Sequence, residues 1–140
     1  IYGPYDKFDL ERSHFIGATI SKVMNSSSKI SVWGKGKEKR DLLYIEDLIN
    51  FVNLVIKKQK SKFRIYNCGL GKSYSVNSIV KKIIKISNKK LQIYNDLSKK
   101  SINTNICINS NLAKKELGWV PKIKIEEGIK KIKNWYKKNI

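Results

Sequence analysis

Ile30-Ser31-Val32-Trp33-Gly34-Lys35-Gly36, followed by Arg40-Asp41-Leu42-Leu43-Tyr44-Ile45-Glu46-Asp47-Leu48, changes its hydrophobic period within one short stretch. The first four residues alternate and end at a two-glycine turn, the pattern of a short strand. Leu42 to Ile45 is a continuous apolar run, which predicts a buried strand. From Glu46-Asp47 the period becomes helical through Ile56, with acids in the first turn and lysines in the last, as the helix dipole prefers. Strand, turn, strand and helix in this order point to an α/β fold.

The same alternation extends outward. Upstream, Tyr2-Gly3-Pro4-Tyr5-Asp6 is a turn cluster. A helix is expected from Ser13 to about Asn25, with Ser13 as its N-cap. Downstream, Phe63 to Cys68 reads as a strand ending at Gly69-Leu70-Gly71. Ser75 caps a helix to about Ile86, and Leu91 to Tyr94 and Ile106 to Ile108 are short strands. Asn111 to Leu117 is a short helix closed by Gly118. The final helix spans Glu126 to about Lys138. No internal repeat or low-complexity linker interrupts the series.

Composition bounds the rest. The chain has 140 residues, 41% of them hydrophobic, and a formal net charge of +19. Its apolar runs are too short for a membrane span, and no signal-peptide pattern opens it. Two cysteines, Cys68 and Cys107, are too few for a disulfide framework or a cysteine zinc site. A strongly basic chain invites a nucleic-acid reading. Yet only Arg12, Arg40 and Arg64 are arginines, and Lys, Ile and Asn make up 61 of the 140 residues. Lysine scattered in this way fits compositional bias better than a phosphate-reading surface, which favours the planar fork of Arg. The chain starts at Ile1 rather than Met, which suggests a piece of something larger.

Chemistry-bearing residues are few. His14 is the lone histidine, and such a residue is more often structural than catalytic. Gly34-x-Gly36 and Gly69-x-Gly71 fall short of a dinucleotide fingerprint. Arg40 suits a bidentate anion contact, against the alternative of a surface ion pair with Asp41 or Glu38. Trp33 can stack on a planar ligand or pack in the core.

These residues carry a resemblance. Ile1-Tyr2-Gly3-Pro4-Tyr5-Asp6-Lys7-Phe8-Asp9 with Ser13-His14, then Val32-Trp33-Gly34-x-Gly36 and Arg40 to Leu48, resemble the GDP-L-fucose synthase branch of the NAD-dependent epimerase/dehydratase family. That family is part of the extended short-chain dehydrogenases/reductases. Tyr66-Asn67-Cys68-Gly69-x-Gly71, Ala113 to Pro121 and Glu127-Gly128-Ile129 to Tyr136 continue the likeness along the whole chain.

The resemblance implies the C-terminal, substrate-binding half of a Rossmann-type enzyme. It includes elements that complete the Rossmann sheet, with the dinucleotide-binding domain and its Tyr-x-x-x-Lys pair outside residues 1–140. It implies NADP or NAD held mainly by that other half, a nucleotide-sugar substrate, a homodimer when full length, a cytoplasmic location, and neither specific nucleic-acid nor membrane binding. A lone chain of this kind is expected to be inactive. Residue by residue, His14 matches an acid in epimerisation of a 4-keto sugar and lies by the cofactor. Lys22 and Arg40 match residues on the nucleotide phosphates, and Trp33 matches a substrate-contacting tryptophan. Ile1 falls in the stretch lining the nicotinamide pocket. No residue is expected to bind a metal. Two departures stand out: Ser101 replaces a substrate-binding Asp, and Gly17 replaces a Pro. Rival readings are another sugar-nucleotide epimerase or dehydratase, such as a UDP-hexose 4-epimerase, and a basic polyanion-binding module.

Overall fold

A computed structural model of the protein describes residues 1–102 and 104–140. Five helices, α1 (Phe15–Asn25), α2 (Ile45–Lys58), α3 (Val76–Ile86), α4 (Asn111–Leu117) and α5 (Ile125–Asn139), alternate with strands β1 (Lys29–Trp33), β2 (Lys39–Asp41), β3 (Ser73–Ser75) and β4 (Gln92–Asp96). β1 and β4 pair in parallel, Lys29 opposite Gln92 through Trp33 opposite Asp96. β2 and β3 pair antiparallel, with Arg40 opposite Tyr74. The expected α/β class is therefore the observed one.

The main core lies between the β1–β4 pair and helices α1, α3 and α5. Ile20, Val23, Ile79, Ile83, Ile129 and Ile132 are fully buried there. All are apolar positions three or four apart on their helices, the stripe that an amphipathic helix turns inward. A smaller cluster of Leu43, Ala113, Leu117 and Trp119 sits beneath α2 and α4. Every helix carries a lysine in its last turn. These lysines sit at the helix ends where the macrodipole favours positive charge.

Several expected elements take another form. Ser13 does not cap α1: the N-cap is His14 without a side-chain bond, and the Ser13 hydroxyl is buried with no partner among the described residues. Ser75 does cap α3, accepting the Ser78 N–H at 3.2 Å. The run Leu42–Ile45 is not a strand but a single parallel bridge. The Tyr2 N–H donates to Leu43 O at 3.1 Å and the Ile45 N–H to Tyr2 O at 2.9 Å. Phe63–Cys68 and Ile106–Ile108 form no strand either. A strand exists only beside a ladder partner, and among the described residues Phe63–Cys68 has none. Phe63 and Ile65 are exposed as a result, as are Ile49, Val52 and Ile56 on one side of α2.

Two buried or half-buried carboxylates hold the loops. Asp41 accepts the N–H groups of Leu70 (2.7 Å), Gly71 (3.0 Å) and Ile108 (3.0 Å). Asp47, 1% exposed, accepts those of Lys122 (3.0 Å) and Ile123 (2.9 Å), while its backbone carbonyl accepts the Trp119 indole N–H at 3.1 Å. Asp47 thus does more than charge the start of α2. It fastens the link between α4 and α5 to that helix.

Asp41→Asn should cost about 1–3 kcal/mol, because one carbonyl oxygen cannot serve three donors and the charge assistance is lost. The check is the urea midpoint together with amide exchange at Leu70, Gly71 and Ile108. Unchanged exchange at all three would refute the role. Gly128 supplies a second test. It lies inside α5, where Ala would ordinarily be about 1 kcal/mol better, but a Cβ there would run into the Tyr2 hydroxyl and the Tyr44 ring. Gly128→Ala should therefore destabilise by about 1–3 kcal/mol despite its helix propensity. A neutral result in chemical denaturation would mean that Tyr2 does not hold its place.

Candidate functional site

The cavity that gathers chemistry has a volume of about 250 Å3 and lies between α1, β1 and the approach to β2. Helix α1 presents Ala18, Thr19 and Lys22 along one wall, one helical turn bringing Lys22 beside Ala18. Strand β1 contributes four of its residues, Ile30 to Trp33, and Val76 and Val80 of α3 close the apolar end. Glu38 and Arg40 enter from the third side. Extended backbone sends residues i and i+2 to one face, so these two line the cavity while Asp41 turns away to its backbone donors.

The polar groups here differ in kind. Trp33 is 57% exposed, which removes the core-packing alternative and leaves its ring accessible to solvent. Lys22 Nζ stands 5.9 Å from the centroid of that ring, a cation–π distance. Arg40 is half-buried and makes no ion pair with Glu38 or Asp41 among the described residues, so the surface ion-pair alternative for it is not realised. Two cations and an open indole at the mouth of a partly apolar hollow suit an anionic group attached to a planar ring.

Not every sequence candidate joins them. Lys22, Trp33 and Arg40 come together. His14 does not line the cavity: it is exposed at the N-cap of α1, between Ser13 and Phe15, which do line it. Ile1 is 62% exposed and outside the lining. Ser101 packs against Gly34, next to Trp33, because a Cβ on Gly34 would collide with its side chain. Gly17 is buried where a Cβ would press on the Lys7 carbonyl at 2.5 Å. Glu38 is the residue that sequence reasoning passed over, having weighed it only as an ion partner of Arg40. Its signal was the two-residue spacing to Arg40.

Other groups offer less. A larger hollow of about 440 Å3 lies between α2 and the residues from Gly118 to Lys122, but the Asp47 carboxylate in it is already committed to backbone donors. Burial, followed by the nearby Asp47 and Asp41 carboxylates, pushes the Cys68 thiol up to about 11, so it is not an activated nucleophile. Among the described residues no group of three or more His, Cys, Asp or Glu is placed to hold a metal. Among the described residues no helix is long and apolar enough to cross a membrane.

The family described as "NAD dependent epimerase/dehydratase" matches residues 1–69. The chain is 34% identical over 135 residues to GDP-L-colitose synthase of Yersinia pseudotuberculosis, covering 94% of this chain and 44% of that protein. It is 32% identical over 142 residues to UDP-glucuronate 4-epimerase of Thermodesulfobacterium geofontis, covering all of this chain and 42% of that one. Among solved structures, dTDP-glucose 4,6-dehydratase of Bacillus anthracis in complex with NAD superposes with a TM-score of 0.81 at 25% identity, over 99% of this chain and 42% of the other. The chain thus spans less than half the length of these relatives. Residues 1–69 thus match the NAD-dependent epimerase/dehydratase family, the whole chain is similar to its members, and the α/β fold with its parallel strand pair is part of a Rossmann-like fold.

Proposed function

We propose that this chain is the nucleotide-sugar-binding part of an NAD(P)-dependent epimerase/reductase acting on a GDP-4-keto-6-deoxy sugar, in the manner of a GDP-L-fucose synthase. The observation that carries the reading is the convergence of Lys22, Trp33 and Arg40 on one cavity. At about 250 Å3 that cavity lies just below the roughly 300–1,000 Å3 that whole ligands need, so it suits one part of a nucleotide sugar. Arg40 and Lys22 supply the charge a diphosphate requires, and Trp33 a face for a ring to stack on.

The residues present do not fit a nicotinamide dinucleotide by themselves. Among the described residues no glycine-rich loop leads directly into a helix: α1, α2, α3, α4 and α5 follow His14, Tyr44, Ser75, Ser110 and Lys124. A pyrophosphate cradle needs that junction. The cofactor, the residues that bind it and the hydride step are therefore assigned to a part of the enzyme outside residues 1–140, and Ile1 at most borders it.

What this chain contributes to the reaction is binding and a proton. When a base supplied by the part of the enzyme outside residues 1–140 takes the proton next to the sugar ketone, an enolate is left, and return of a proton to the opposite face inverts the carbon. His14, on the rim of the α1 end of the cavity, is the residue proposed to deliver that second proton, recovering its own from the solvent it faces. A UDP-hexose epimerase is the second reading, favoured by the 32% identity to UDP-glucuronate 4-epimerase.

Calorimetric titration of the chain with GDP-mannose and UDP-glucose tests the proposal. Saturable binding is expected. Arg40→Ala should weaken it roughly ten- to a hundredfold, the worth of a charge-assisted contact, and Arg40→Lys should recover only part because an ammonium lacks the fork. His14→Ala should leave binding intact and lower kcat by about a hundredfold or more in the complete enzyme. Absence of saturable binding would overturn the reading. Duplex DNA binding that survives physiological salt would favour a polyanion module instead.

A further inference from the structure

We propose that Glu38 is the base-selecting residue of this site, pairing its carboxylate with the two adjacent N–H donors on the Watson–Crick edge of guanine. The inference rests on the nucleotide-sugar reading and names the residue that would choose GDP over the UDP of the second reading. Its starting point is a carboxylate where none is expected. Glu38 is only 8% exposed, lines the cavity together with Arg40 and Trp33, and takes part in no side-chain hydrogen bond or ion pair among the described residues. Its own backbone carbonyl accepts the Val76 N–H at 3.0 Å, so the main chain there is fixed while the side chain is left without a donor.

The Glu38 carboxylate is thus an acceptor pair that no described side chain engages. Lys22 and Arg40 share the cavity but neither stands within ion-pairing distance of it. The Ser13 hydroxyl, buried and also unpartnered, lines the same cavity. An arriving ligand would therefore meet an acceptor pair that no described residue occupies, and one rich in donors would gain most.

Only some ligand edges supply such donors. Guanine offers N1–H and the exocyclic amino group side by side, which matches the two oxygens of a carboxylate bidentately. Uracil and thymine present one N–H flanked by two carbonyl oxygens, and those oxygens would repel Glu38. Adenine and cytosine set a ring-nitrogen acceptor beside their amino group. A ribose diol could also donate twice, but every ribonucleotide carries it, so a contact there would not discriminate. A site that buries a polar group for one edge rejects edges that lack the partner. Trp33, accessible to solvent, offers the ring a surface to stack on while its edge is read.

The experiment is calorimetric titration of the chain with GDP, IDP and UDP, repeated on Glu38→Gln and Glu38→Ala, with circular dichroism to confirm that each variant is folded. IDP differs from GDP only by the missing amino group. GDP should bind roughly ten- to a hundredfold tighter than UDP, with IDP between them. Glu38→Gln should bring GDP to within about threefold of IDP and leave UDP unchanged or slightly tighter, since a neutral amide no longer repels its carbonyls. Equal weakening of all three nucleotides by the substitution would place Glu38 on the ribose and overturn the inference while leaving the nucleotide-sugar reading in place. Equal affinities for GDP and IDP in the unmodified chain would overturn it without recourse to any variant. Failure of all three nucleotides to bind would remove the reading beneath it.

Discussion

Three backbone N–H groups from two distant loops end on one carboxylate, that of Asp41. β2 is only three residues long and pairs with an equally short β3, too little to fix a side chain by ladder bonds alone. The Asp41 contacts pin the strand to the Gly69–Gly71 turn and to Ile108. Because neighbours on a strand face opposite ways, holding Asp41 on one side presents Glu38 and Arg40 to the cavity on the other. The chemistry of the site is arranged from behind.

Asp47 works the same way for the second half of the chain. The segment from Trp119 to Ile123 has no regular structure of its own, yet two of its N–H groups and one indole N–H are satisfied by this single residue. The connection between α4 and α5 therefore runs a fixed course, and α5 reaches the core under Tyr2 and Tyr44. There the rings of those two tyrosines meet edge to face, their centroids 5.4 Å apart. Gly128 leaves the space they occupy.

Helix positions were legible because burial follows a 3.6-residue period that the sequence displays openly, as in Ile79, Val80 and Ile83 or Ile125, Ile129 and Ile132. The strands were harder. Phe63–Cys68 has the composition of a strand, but composition cannot supply the neighbouring chain that makes one. Lys22, Trp33 and Arg40 could be singled out by residue type and by likeness to the family. Asp41 and Asp47 could not be recognised as anchors, since their donors lie between 29 and 76 residues away in sequence. Glu38 was hidden for a related reason: among eleven acidic residues in a lysine-rich chain, nothing local marks one as buried.

The register of β1 against β4 has a kinetic side. Each residue of β1 finds its partner 63 positions further along the chain, and β2, α2, β3 and α3 must be threaded between them. Parallel pairings of such separation carry a large loop-closure entropy and raise the contact order, which slows folding relative to local helix formation. β1 is also one wall of the cavity. Helices α1 and α3 can take shape early from local contacts, whereas the wall against which a ligand would lie is completed only when β4 closes on β1 across that 63-residue separation. A ligand in that cavity would accordingly act on the rate at which the folded chain opens more than on the rate at which it forms.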